Sequence, residues 1–119
     1  MTALLALLLL AAPPFSVLEK GAQVARALPH VQKAAAGLRR QIAAIKGDKL
    51  RAAVEEVLAA TPGFWSGPGG PCAGGHHGYP GGLVVHTLAN VEHALALARV
   101  YCDVYGVHLN EDWLRAAAT

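Results

Sequence analysis

The sequence is poor in the residues that would define several classes of protein. Charged residues make up 15% and aromatic residues 6% of the 119 positions, whereas 54% are hydrophobic. The formal net charge of +2 is too small to indicate a nucleic-acid partner, and the basic residues are spread from Lys20 to Arg115. The charge of the chain therefore does not predict a nucleic-acid partner.

Cysteine is also scarce. The two cysteines, Cys72 and Cys102, lie in a Gly-rich segment and in a helical pattern, respectively, and they form no CxxC motif. This usage excludes a disulfide framework and a zinc knuckle as the basis of the fold.

The apolar run at residues 3–12 is too short to cross a membrane. It has ten residues, about half of what a spanning helix needs. The first eighteen residues carry no charged side chain, as in the apolar part of a signal peptide. However, no Lys or Arg precedes the run, and Pro13 and Pro14 stand where a cleavage site would be expected. Residues 1–14 therefore fit an export signal about as well as they fit the alternatives, an apolar N-terminal helix of a cytoplasmic protein or a misplaced start.

The abundant residues are Ala and Leu, which favour helices over sheets. Three segments before residue 61 show helical spacing of apolar residues. The first covers residues 15–28, the second covers residues 31–46, and the third follows Asp48, which we expect to cap its first turn. The predicted core faces of the three are Val17, Leu18, Val24 and Leu28; Leu38, Ile42 and Ile45; and Leu50, Val54, Val57 and Leu58.

The strongest helical pattern covers residues 83–105 and ends at Gly106. Asn110, followed by two acidic residues, is typical of the start of a last helix. These patterns predict an all-α bundle of about five helices, formed as one domain by residues 15–119. The predicted core face of the long helix is Leu83, Thr87, Val91, Ala94, Ala98, Cys102 and Tyr105.

Residues 61–82 cannot form a regular element, because they include nine glycines and four prolines. Long loops in compact domains are usually functional or disordered. Phe64, Trp65 and Tyr79 would anchor this loop, and a flexible linker lacks such anchors. We therefore expect an ordered loop that forms part of a site.

Four of the six histidines, His76, His77, His86 and His93, fall within eighteen residues. Imidazole is the commonest metal ligand and a frequent proton shuttle. His86 and His93 cannot bind one ion, because seven helical residues separate them by about 10.5 Å. His93 is better interpreted as a surface or packing residue.

Residues 76–87 read HHGYPGGLVVHT, and this stretch resembles the HHxYxGGLxxHT signature of a branch of the HD-domain superfamily. That branch includes metal-dependent phosphohydrolases similar to 3′–5′ exoribonucleases. The resemblance continues to the end of the chain and covers residues 75–119, whereas the upstream helices match no family in this way.

The resemblance implies that His86 is the first metal ligand of the site. The next ligands would be a His-Asp pair soon after residue 119 and a later Asp, so the chain would be an amino-terminal part without activity of its own. His76 and His77 would take catalytic roles from the loop by contacting either the phosphate or a group that supports a metal ligand. The glycines at 81 and 82 would let the backbone turn into the helix.

The implied reaction is hydrolysis of a phosphoester in a phosphorylated small molecule, a nucleotide or a nucleic acid. The implied cofactor is one or two divalent ions, with Mn, Fe, Ni, Mg and Zn all open. Two alternatives remain: a non-catalytic HD-like binding or regulatory module, and a local zinc site formed by Cys72, His76, His77 and His86.

Overall fold

The computed structural model describes residues 15–61, 63–70 and 76–119, without the side chains of residues 15–18. In these ranges the only regular secondary structure is helical, which confirms the predicted all-α bundle with a Gly/Pro-rich loop. The apolar residues 1–14 lie outside the described ranges. The five helices are α1 (Phe15–Ala27), α2 (Pro29–Ala43), α3 (Asp48–Ala59), α4 (Gly82–Tyr105) and α5 (Glu111–Ala118).

A proline, a glycine and an asparagine mark three of the helix ends. Helix α2 begins at Pro29, two residues earlier than predicted, because proline lacks an N–H and is favoured at the first helical position. Gly106 ends α4 in the left-handed conformation, with a φ of 67°. Asn110 caps α5 as predicted, since its side-chain oxygen accepts hydrogen bonds from the backbone N–H groups of Asp112 and Trp113.

The predicted cap of α3 is wrong. The N-cap position is Gly47, and Asp48 is the first helical residue, with its carboxylate accepting a hydrogen bond from Arg51 at 2.6 Å. Asp112 of α5 instead accepts hydrogen bonds from the backbone N–H groups of Lys46 and Gly47, at 3.0 Å each. A residue 65 positions away therefore fixes the start of α3.

The core lies mainly between α2 and α4, with α5 packed against α4 and α3. The stripe predicted for α2 is confirmed, because Leu38, Ile42 and Ile45 are all buried. Each fully buried side chain of this kind contributes about 1.5–3 kcal/mol of hydrophobic stabilisation. On α4, Val84 and Val91 are inaccessible to solvent and face this stripe within the same core cluster.

Other predicted faces are only partly buried. In α1, Ala25 is buried in place of Val24, and in α3 Val57 remains 64% exposed. On α4, Thr87, Val91 and Ala98 are buried as predicted, but Tyr105 is 68% exposed. Tyr105 is exposed because of the difference in helix length. Helix α4 extends about 36 Å and α2 only about 22 Å, so the end of α4 projects beyond α2. None of the described helices is long and apolar enough to cross a bilayer.

Candidate metal centre

Two parts of the Gly/Pro-rich loop hold each other in place through backbone hydrogen bonds. The N–H of Gly69 donates to the carbonyl of His77 at 2.8 Å. The N–H of Gly81 donates to Ser66 at 2.9 Å, and that of Leu83 donates to Gly67 at 3.1 Å. Residues 76–82 are therefore fixed against residues 66–69 at the start of α4.

Two glycines allow the chain to turn into α4. Gly81 has a φ of 84°, which side chains disfavour, and a Cβ there would also overlap Val31 of α2. A Cβ on Gly82 would overlap the backbone carbonyl of His77. The segment that carries the histidines consequently lies directly against the first turn of α4.

This packing brings His76, His77 and His86 together. The ring centroids of His76 and His77 are 3.9 Å apart, and they lie 5.7 and 5.6 Å, respectively, from the centroid of His86. Each residue can offer one ring nitrogen such that the three nitrogens lie within 4.8 Å of one another. We call these three residues the histidine cluster.

The surroundings favour the neutral form of His77. Burial lowers the pKa of His77 most, and the neighbouring His76, His86 and His30 lower that pKa further. A neutral imidazole has a lone pair free for a metal ion, whereas an imidazolium has none. The Nδ1 of His77 lies 3.3 Å from the hydroxyl of Tyr79, which leaves its Nε2 for a ligand.

Sequence reasoning missed one neighbour of the cluster, His30. His30, at the start of α2, packs edge-on against Tyr79 with ring centroids 5.3 Å apart. No spacing in the sequence indicates this contact, because 49 positions separate the two residues. Among the described residues, His93 takes no part in the cluster and is exposed, in agreement with its interpretation as a surface residue.

The histidine cluster has the chemistry of an incomplete site for a transition metal. Three imidazole side chains suit Zn, Fe, Ni and other borderline ions. Within the described ranges no carboxylate or thiolate joins the group. Cys72, the fourth member of the alternative zinc site, lies outside the described residues.

The fold and the cluster together define a helical protein with a candidate metal centre, and comparison with known proteins adds a chemical class. No protein-family model matches the chain, and no solved structure matches it. A stretch of 43 residues is 46% identical to the dihydroneopterin 2′,3′-cyclic phosphate phosphodiesterase of Methanocaldococcus jannaschii. The match covers 36% of this chain and 17% of that enzyme. Part of the chain is thus similar to a phosphoester hydrolase.

Proposed function

We propose that this chain forms the amino-terminal part of an HD-type, metal-dependent phosphoester hydrolase. The observation that carries the proposal is the convergence of His76, His77 and His86 on one small volume. The partial identity to a cyclic phosphate phosphodiesterase supports the same class of reaction. The sequence contains no His-Asp dipeptide, so the remaining ligands would come from outside these 119 residues.

The three histidines would have different tasks. His86 stands in the first turns of α4, where hydrogen bonds of the helix fix its backbone, and it would hold the ion. His77 would add a neutral nitrogen from the loop. His76 is exposed at the edge of the cluster and would contact the phosphate as it arrives.

When bound, a divalent ion would polarise the phosphoryl oxygen and lower the pKa of a water molecule. The substrate class we propose is a phosphorylated small molecule, with a cyclic phosphodiester as the first choice. This choice follows the name of the similar enzyme, whose substrate carries a 2′,3′-cyclic phosphate.

Metal titration of the 119-residue chain tests the site. We expect one Mn²⁺, Ni²⁺ or Zn²⁺ ion to bind in isothermal titration calorimetry. The His86→Ala variant should bind the ion at least about tenfold more weakly. Even residues that only hydrogen-bond to a metal ligand change metal affinity by about that factor. The matched control is His93→Ala, which removes an exposed imidazole from the same helix and should bind as the unchanged chain does. Equal affinities in the two variants would contradict the assignment of His86.

Hydrolysis by the product of the whole open reading frame tests the activity. We expect metal-dependent cleavage of a 2′,3′-cyclic nucleotide that chelators and the His86→Ala substitution both abolish. Binding of the nucleotide without any cleavage would favour the alternative, a non-catalytic HD-like module.

A further inference from the structure

A second candidate site lies on another side of the same loop. A cleft of about 440 Å³ opens between α1, α2 and the turn at residues 63–66. Its volume falls within the range of about 300–1,000 Å³ that is usual for small-molecule sites. None of the three clustered histidines lines this cleft. Its polar and aromatic lining consists of Arg26, Gln32, Arg39, Trp65 and Ser66, and we call it the arginine cleft.

Neither arginine of the arginine cleft forms a salt bridge among the described residues. All eight acidic residues of the sequence belong to the described ranges, and none of them lines the cleft. The salt bridges of the described chain involve only Arg51 and Arg115 among its basic residues. Glu55 shares a neighbouring depression with Arg39 but forms no ion pair with it. Both guanidinium groups of the cleft are therefore available to an anion.

An aromatic side chain stands beside one of these guanidinium groups. The guanidinium carbon of Arg39 lies 4.2 Å from the centre of the Trp65 ring, which is a cation–π contact. Trp65 is itself held edge-on against the buried Phe64, with centroids 5.2 Å apart. This support limits the motion of Arg39 and lowers the entropy that a ligand would have to remove.

The lining as a whole favours a ligand that has both an anionic group and an aromatic ring. Guanidinium groups bind phosphate or carboxylate oxygens through paired N–H donors. Indole and guanidinium planes stack on aromatic rings, and the alanines and Val31 of the cleft add apolar contact. We propose that the arginine cleft binds an organic anion that carries an aromatic ring, of the nucleoside monophosphate type. The inference does not depend on the proposed hydrolase activity.

Binding of adenosine 5′-monophosphate to the 119-residue chain tests this proposal. EDTA in the buffer keeps metal ions off the histidine cluster, so that metal-dependent phosphate binding there does not contribute. We expect saturable binding, with a dissociation constant below about 1 mM, in calorimetry and in quenching of Trp65 fluorescence in a Trp113→Phe background. Adenosine and inorganic phosphate should each bind at least about tenfold more weakly, because each lacks one of the two features.

Substitutions locate the binding. Arg39→Gln and Arg26→Gln should each weaken binding of the monophosphate about tenfold or more, as expected for loss of a charge-assisted hydrogen bond. Arg40→Gln is the matched control, because Arg40 is an exposed neighbour on α2 that does not line the cleft. Circular dichroism should show that all three variants remain folded.

Three results would overturn the proposal. They are the absence of saturable binding, equal affinity for inorganic phosphate and the monophosphate, and an equal loss of affinity in Arg40→Gln and Arg39→Gln. The last two would indicate a general attraction of anions to a basic surface.

Discussion

The backbone at His77 shows how a single residue shapes the candidate site. With a φ of 56°, His77 is the one non-glycine residue in the left-handed region among the described residues. Histidine tolerates this region better than β-branched residues do, but the conformation still carries strain. Its carbonyl accepts the hydrogen bond of Gly69, and it lies directly against Gly82. The surrounding glycines thus hold the imidazole towards His86.

Substitution of Gly82 should disrupt the histidine cluster. In Gly82→Ala, the added Cβ must displace the carbonyl of His77, and we expect a loss of about 1–3 kcal/mol in the free energy of unfolding. Metal binding should weaken in the same variant, because His77 and His76 move away from His86. Chemical denaturation and metal titration measure the two effects.

Gly21→Ala is the control for this change. A Cβ on Gly21, inside α1, meets nothing within 4 Å, and alanine favours helices more than glycine does. We expect this variant to be up to about 1 kcal/mol more stable and to bind metal as before. Unchanged metal binding in Gly82→Ala would show that the turn does not position the cluster.

Part of the site could be predicted from the sequence because its residues are close along the chain. The loop signature pointed to His76, His77 and His86 together, and the structure brings these residues into contact distance. His30 could not be found in this way, since its proximity to Tyr79 depends on how α2 packs against the loop. The pairing of Gly69 with His77 likewise depends on loop geometry that composition does not reveal.

Among the helices, α4 stands apart because its apolar residues lie on more than one face. Val84, Val91 and Leu95 face the core, while Leu97 and Val104 are 58% and 64% exposed. An apolar helix of this kind is normally covered on several sides. Periodicity therefore predicted the helix α4 correctly but its buried face less completely than that of α2, whose single stripe was identified correctly.

The two faces of α4 should respond differently to truncation. We expect Leu95→Ala to lower the free energy of unfolding by about 3 kcal/mol, because it opens a cavity in the core beside α2. Leu97→Ala removes the same atoms from the exposed face and should change stability by no more than about 0.5 kcal/mol. Urea denaturation followed by circular dichroism compares them. Similar losses in both variants would mean that the exposed face is covered in solution.

At the scale of the whole molecule, α5 connects helices that are distant in sequence. Its Arg115 donates a hydrogen bond to Gln41 of α2, and Gln41 in turn donates to Glu92 of α4 at 2.8 Å. Asp112 accepts hydrogen bonds from the junction between α2 and α3. Such contacts could not be predicted from local patterns, because each joins residues more than fifty positions apart.

The Asp112 contact should make stability depend on pH in the acid range. The backbone N–H of Lys46 is the main cause that lowers the pKa of Asp112, and the N–H of Gly47 and the charge of Arg115 lower it further. A carboxyl group with a lowered pKa in the folded state stabilises that state fully above its ordinary pKa of about 4. The stabilisation then disappears as the pH falls through the lowered value.

We therefore expect Asp112→Asn to have a lower Tm than the unchanged chain at pH 7, because the neutral amide binds the two N–H groups less strongly. The difference should narrow below about pH 4 and close once Asp112 is protonated in the folded state. Asp103→Asn removes the same charge from an exposed position of α4 and should leave the Tm almost unchanged at pH 7. If the difference in Tm between the unchanged chain and Asp112→Asn stayed constant from pH 7 to pH 2, the carboxylate charge would not stabilise the junction between α2, α3 and α5.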